Sequence, residues 1–262
     1  MLLLSSCSSG GQKATLSESN LSLSQSQIAA KLQASLDSVS GVHVKGVLAA
    51  YNAITSVFDQ MPIDMQFNKD GSGSGILTLE DGVRLPVIEF SGTVYFQMTA
   101  QYLQAQLSPI GAYSTVTPTV KKLYTRYTNE WASSISGVGE LLYRFVGADF
   151  SFAGMEARFV PPDVAGYAYE GSSASGARKS ARYRLAYVKS LLPSTLVTLP
   201  ASGSALPMQA SMSASFGESL TFTWDKPTVV TPPPAASIVA IPNNFGEVVL
   251  PPDAASSSPA SA

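Results

Sequence analysis

The chain has 262 residues, 45% of them hydrophobic and only 13% charged, with a net charge of −2 at neutral pH. That length allows one large domain or two small ones with a sizeable core, while the slightly acidic balance gives no support for nucleic-acid binding, which needs a basic face, or for purely electrostatic attachment to anionic lipid. A single cysteine, Cys7, and a single histidine, His43, exclude an intramolecular disulfide and a Cys/His metal cage, so neither metal nor cofactor is expected.

The chain opens on a candidate processing site. Leu4-Ser5-Ser6-Cys7 has the form of a bacterial lipobox: an aliphatic residue, two small residues, then the cysteine that is modified. Small residues let the backbone enter a peptidase, and the Cys7 thiol becomes a thioether to diacylglycerol. Two or more acyl chains hold a protein stably in a bilayer where one is marginal. Met1 to Leu4 supplies neither a basic n-region nor an apolar h-region of about 7–15 residues, so residues 1–7 read as a signal peptide truncated at its start. Residues 8–25, rich in Ser, Gly, Gln and Asn, read as a flexible tether.

The expected folded body spans 26–245. Ser24 and Gln27 have capping-box spacing, and Ile28, Leu32, Leu36 and Val39 form one helical face that Gly41 ends. The period then drops to two. Val42, Val44, Gly46 and Leu48 alternate with His43 and Lys45, and Ile63, Met65 and Phe67 alternate with Asp64, Gln66 and Asn68. A turn over 69–75 leads to a strand at Ile76 to Leu79, and the Glu80-Asp81-Gly82 turn leads to Val83, Leu85 and Val87. Another turn at Ser91-Gly92 leads to Val94, Phe96 and Met98. Links this short join only antiparallel neighbours.

Helical composition follows at 99–107, 118–131 and 138–152, the last with Leu141, Leu142, Phe145 and Val146 on one face. Strands resume at 178–188, at 204–214 with 219–225 as a hairpin, and at Ser237 to Ile241. Residues 246–262 form a Pro/Ala/Ser tail with too little apolar area to fold. The layout is α+β: one strongly curved antiparallel sheet, helices on one side, and a helical insert at about 108–170.

Several stretches together resemble the actinobacterial LppX/LprG-type lipoproteins and, more distantly, the LolA/LolB lipoprotein carriers. They are the first helix running into "SVSGVHVKG" (38–46), "DGSGSGILTLEDGVRLPVIEFSGTVYFQ" (70–97), Trp131, "ASGSALPMQASM" (201–212) and "SLTFTWDKP" (219–227). The resemblance covers about residues 28–242 and rests on order and pattern. It implies a curved antiparallel half-barrel whose concave face is covered by helices, with an apolar cavity that receives acyl chains of a lipid or lipoprotein. It carries over no catalytic residue, and Cys7 is the position it maps onto a function.

Other chemistry weighs less. His43 lacks a G-x-S-x-G elbow or a positioned nucleophile around it and falls on the polar parity of its strand. Glu80 and Asp81 are explained by a turn, and "GSGSG" (71–75) lacks the Lys-Ser/Thr and following helix of a P-loop. Arg178, Lys179, Arg182 and Arg184 form a basic strand whose simplest role is a solvated face; Arg182 and Arg184 are the candidates for a lipid head group. On the apolar parity, Met65, Phe67, Leu85, Phe96, Met98 and Phe222, with Leu142 and Phe145 from the insert, are the candidate ligand contacts. Burying acyl chains there gains about 0.8 kcal/mol per methylene, and a flexible thioether adapts to variable contents.

The expectation is therefore a non-enzymatic lipoprotein, anchored through Cys7 on the extracytoplasmic side of the cell membrane, that binds or transfers a lipid. The rival expectations are an envelope lipoprotein with a filled core that docks a protein partner, and an extracytoplasmic hydrolase.

Overall fold

A computed structural model describes residues 19–52, 57–79, 82–107, 125–133, 151–160, 162, 164–175, 178–188, 194–212, 217–225 and 227–239. In chain order the elements are α1 (Gln25–Asp37), β1 (Gly41–Asn52), β2 (Val57–Asn68), β3 (Gly73–Thr78), β4 (Arg84–Phe90), β5 (Thr93–Gln97), α2 (Ala100–Leu107) and β6 (Trp131–Ser133). They continue with α3 (Phe152–Ala157), β7 (Val164–Ser175), β8 (Arg178–Tyr187), β9 (Thr195–Pro200), β10 (Gln209–Met212), β11 (Ser219–Asp225) and β12 (Ile238–Val239).

The twelve described strands form one open, curved sheet in the order β12-β6-β5-β4-β3-β2-β1-β11-β10-β9-β8-β7. Every described pairing is antiparallel except β12 on β6, which is parallel. The expected meander is present as β1 to β5, because each strand alternates apolar and polar residues and each link is short. The β3–β4 link closes as expected, with Thr78 opposite Arg84 and the Leu79 N–H donating to the Val83 carbonyl at 2.9 Å.

One face of this sheet carries the core. Val42, Val44, Leu48, Ile63, Met65, Phe67, Leu77, Leu85, Val87, Phe96, Leu220 and Phe222 are all buried and belong to one apolar cluster with Ile28, Leu32 and Leu36 of α1. Tyr102 and Leu103 of α2 and Phe152 and Met155 of α3 join the same cluster. The described helices thus pack on the concave side, as the α+β layout requires. The α1 cap is the expected box, with the Ser24 N–H donating to Gln27 Oε1 at 2.9 Å and the Gln27 N–H donating to Ser24 Oγ at 3.4 Å. The helix ends at Asp37 with Ser38 as its right-handed cap, so Gly41 does not stop it but already belongs to β1.

Three further differences from the sequence reading have physical reasons. Trp131 starts β6 instead of ending a helix, because its backbone pairs with Gln97 of β5 on one side and Ile238 of β12 on the other. β7 was not foreseen: "VAGYAYEGSSAS" is an edge strand with two register shifts, and most of it is exposed, so it needs no apolar alternation. β9 lies in "TLVTLP", which alternates cleanly but is only six residues long.

Of the stretch expected as a tether, residues 19–25 are held against the sheet. Asn20 is fully buried, its side-chain amide donating to the Pro200 carbonyl at 2.7 Å, and Ser19 bridges Ser202. At the other end, Asn68 clamps the segment that leaves β11: its amide donates to the Thr228 carbonyl at 2.7 Å and its Oδ1 accepts from the Thr228 N–H at 3.1 Å.

Candidate functional site

Strand register arranges the inward side chains into rows. One row runs Phe222, Val44, Met65, Gly75, Val87, Phe96, Ala132 across β11, β1, β2, β3, β4, β5 and β6. A second, beside it, runs Trp224, Val42, Phe67, Gly73, Glu89, Val94. A third runs Leu220, Gly46, Ile63, Leu77, Leu85. Neighbouring strands lie about 4.8 Å apart, so Met65, Phe67, Leu85 and Phe96 line one continuous apolar surface. Met98, just past β5, is buried beside them.

The middle of that surface is shaped by β3. A Cβ on Gly75 would meet the Asp64 carbonyl oxygen, and Met65 Sδ at 2.7 Å; one on Gly73 would meet the Phe67 ring at 3.1 Å. The Met65 and Phe67 side chains therefore lie across β3 where it offers no side chains of its own, which gives the sheet a flat, low apolar floor at that strand.

Both halves of the concave face are enclosed, Met65, Phe67, Leu85, Phe96 and Met98 being buried like Phe222, and they differ in which described elements cover them. Toward β11 the cover is aromatic. Phe222 stacks on Trp224 at 5.9 Å, and Phe159 meets Phe222 edge-on at 5.2 Å. Phe152 meets Trp224 edge-on at 6.2 Å, so α3 and the turn after it lie along β11. Tyrosine hydroxyls from β7 and β8 tie down this cover and the segment before α1. Tyr183 donates to the Asn20 carbonyl at 2.8 Å and accepts from the Leu23 N–H at 3.0 Å. Tyr167 donates to the Phe159 carbonyl at 2.9 Å; burial pushes its phenol up to about 12, which keeps it a donor. Arg158 and Glu218 add a buried ion pair at 2.7 Å. Toward β6, the described cover is α2, with Tyr102 edge-on to Phe96 at 5.8 Å.

Of the candidate contacts, the structure brings Met65, Phe67, Leu85, Phe96 and Met98 together on the β2–β5 half, and places Phe222 on the β11 half beside Phe159 and Trp224. Leu142 and Phe145 lie outside the described residues, as do Cys7, Glu80, Asp81 and the tail 246–262. Arg182 and Arg184 are on β8 with Tyr183 and Leu185 between and beyond them, so they point away from the apolar face that Tyr183 and Leu185 share. Arg184 is engaged there, its Nε donating to Glu170 Oε1 at 2.7 Å and its Nη1 to Ser194 Oγ at 3.2 Å, and it holds the Glu170 carboxyl below its usual range. A head-group role at the mouth of the concave face does not suit that placement, because the side chains emerge on the opposite side of the sheet.

His43 also lies on the convex side. Its Nε2 is 2.7 Å from Asp64 Oδ1, and Lys45 Nζ is 2.9 Å from Asp64 Oδ2. Lys45 first, then His43, hold the Asp64 carboxyl below its ordinary value. This is a solvated charge network spanning β1 and β2. Among the described residues no group of His, Cys, Asp and Glu is arranged to hold a metal, and no helix is long and apolar enough to cross a membrane.

Sequence reasoning missed Glu89. It follows Leu85 and Val87 on the inward parity of β4, stands between Gly73 and Val94, and burial pushes its carboxyl up from 4.5 to about 7. The signal was a charged residue continuing an apolar period of two.

In backbone course the chain is similar to the lipoprotein LppX of Mycobacterium tuberculosis, with a TM-score of 0.46 and 15% identity over 79% of this chain and 100% of that one. It is similar to LprF of Mycobacterium bovis, at 0.42 and 14% over 80% and 99%, and to a LolA superfamily protein of Nitrosomonas europaea, at 0.27 and 8% over 79% and 96%. No family model and no curated protein matches the chain. The sequence resemblance and this likeness concern the same group of folds. The likeness extends to fold alone.

Proposed function

We infer that this is a non-catalytic lipoprotein of the extracytoplasmic side of the cell membrane, tethered through acyl chains on Cys7, that holds or passes on a lipid against its concave face. The observation that carries this reading is the floor formed by Met65, Phe67, Leu85 and Phe96, four apolar side chains gathered by strand register and flattened by Gly73 and Gly75, with Met98 buried beside them. The flexible thioethers of Met65 and Met98 adapt to acyl chains of different shape at little cost. The mechanism is partition: the ligand leaves a bilayer when the protein offers comparable apolar burial, and no bond is made or broken.

The test is uptake of a fluorescent fatty acyl probe by delipidated protein. One equivalent bound with a blue-shifted emission supports the reading; no uptake by folded protein overturns it.

A second reading, the docking of an envelope protein, is favoured by one observation. β7 ends the sheet with its outer edge unpaired among the described residues, and an unpaired edge accepts an added strand.

A further inference from the structure

We propose that Glu89 receives the polar end of the ligand, and that this end is uncharged and bears a hydroxyl group, as opposed to a phosphate or carboxylate. The inference rests on the lipid-holding reading above and deepens it.

Glu89 interrupts a row that is otherwise apolar: Trp224, Val42, Phe67, Gly73, then Glu89 and Val94. Among the described side chains of β2 to β5 that share this face, it is the one that is charged. Its strand neighbours offer it nothing to bond with. Gly73 has no side chain, the Phe67 ring covers the space where one would be, and Val94 is 8% exposed and apolar. The outer pair Phe90–Thr93 and the Ser91-Gly92 turn follow immediately, so Glu89 stands at the end of the floor, with Val87, Phe96 and Met65 leading away from it.

Lys69, which follows β2 at the same end of the strands, is engaged elsewhere. It donates to the Asp37 carbonyl at 3.5 Å and lies over the Phe152 ring at 5.7 Å. No side-chain hydrogen bond or ion pair ties Glu89 to another described residue. The side chain is half-buried with its carboxylate oxygens still reachable from outside, so a donor carried by a ligand can meet them.

A carboxylate accepts hydrogen bonds and donates none. A hydroxyl-bearing end fits it, with the acyl chain running over Phe67, Val87 and Phe96. An anionic end placed there meets a like charge in a poorly solvated site, which discriminates strongly against it.

The experiment uses the whole delipidated protein at pH 8.5 and measures displacement of a fluorescent acyl probe by two ligands of matched chain length, a monoacylglycerol and a lysophosphatidic acid. Wild-type protein is expected to bind the monoacylglycerol at least about tenfold more tightly. Glu89→Gln, which keeps the shape and removes the charge, is expected to bring the two within about threefold, chiefly by admitting the phosphate. Equal affinities in the wild type, or a preference unchanged in Glu89→Gln, overturn this inference while leaving lipid binding in place. Failure of every acyl ligand to bind the wild type overturns both readings. The wild-type comparison stands by itself if the variant does not fold.

Discussion

Arg158 and Glu218 meet inside the molecule, Nη1 to Oε1 at 2.7 Å, with the Glu218 side chain wholly enclosed and that of Arg158 12% exposed. The second carboxylate oxygen accepts from the Ala49 N–H at 3.3 Å, so this one glutamate joins the turn after α3 to both β1 and the start of β11. Removing one member leaves the other charge buried without compensation, at a cost of about 3–5 kcal/mol. Arg158→Met and Glu218→Gln are each expected to lower stability by that order in urea denaturation. The double variant Arg158→Met/Glu218→Leu is expected to recover most of the loss, since an apolar pair of similar volume often replaces a buried ion pair without penalty.

The Tyr183 hydroxyl is the second fastening. It bridges the Asn20 carbonyl and the Leu23 N–H, holding the segment before α1 to β8 across 160 or more residues of chain. Tyr183→Phe keeps the ring and its packing but strands both backbone groups, so a loss of about 1–3 kcal/mol is expected. Hydrogen exchange should accelerate at Leu23 and in the first turn of α1 while remaining slow in β1 and β2.

Glu89 makes stability depend on pH in a direction opposite to that of an ion-paired carboxylate. Its carboxyl is raised from 4.5 to about 7 by burial, so between those values the native state keeps a proton that the unfolded chain has lost. Stability contributed by this group is therefore full below about pH 4.5 and falls as pH rises toward 7, then levels. Because the side chain is partly solvated, the fall is about 1–2 kcal/mol, well below what the whole shift would give. Glu89→Gln is expected to flatten the denaturation midpoint across this window. An unchanged pH profile in the variant would contradict the assignment.

How much of this was legible beforehand follows from what each feature depends on. The β1–β5 meander could be read because Val42, Val44, Met65, Phe67, Leu85 and Phe96 each sit on a period of two and their links are short. The same parity rule assigns Glu89 to the apolar face, since positions 85, 87 and 89 share a side of the strand. β7 resisted because an edge strand with one solvated flank has little need of an apolar code, and "EGSSAS" resembles a loop. Arg158 and Glu218 are 60 residues apart, and nothing local marks either as the other's partner; only the packing of α3 along β11 brings them together. For the same reason the cover of the β11 half by Phe152 and Phe159 could not be read from periodicity.

The proposed anchor at Cys7 is tested by fractionation and mass. Wild-type protein expressed in a bacterial host behind a lipoprotein signal peptide should fractionate with membranes and carry a diacylglyceryl mass on Cys7. Cys7→Ser should lose that mass, because the thioether cannot form without the thiol. Wild-type protein recovered from membranes with an unmodified Cys7 would contradict the anchor.

The central claim is that an acyl chain rests on the floor formed by β2 to β5. The direct measurement is photolabelling of the full-length delipidated protein with a fatty acyl probe carrying a mid-chain diazirine, followed by mapping of the adducts. The account expects them on peptides spanning 61–67 and 85–98, with unlabelled fatty acid competing them away. Adducts confined to the convex face, at Arg182, Arg184 or the β1–β2 charge network, or an absence of competable labelling, would contradict it.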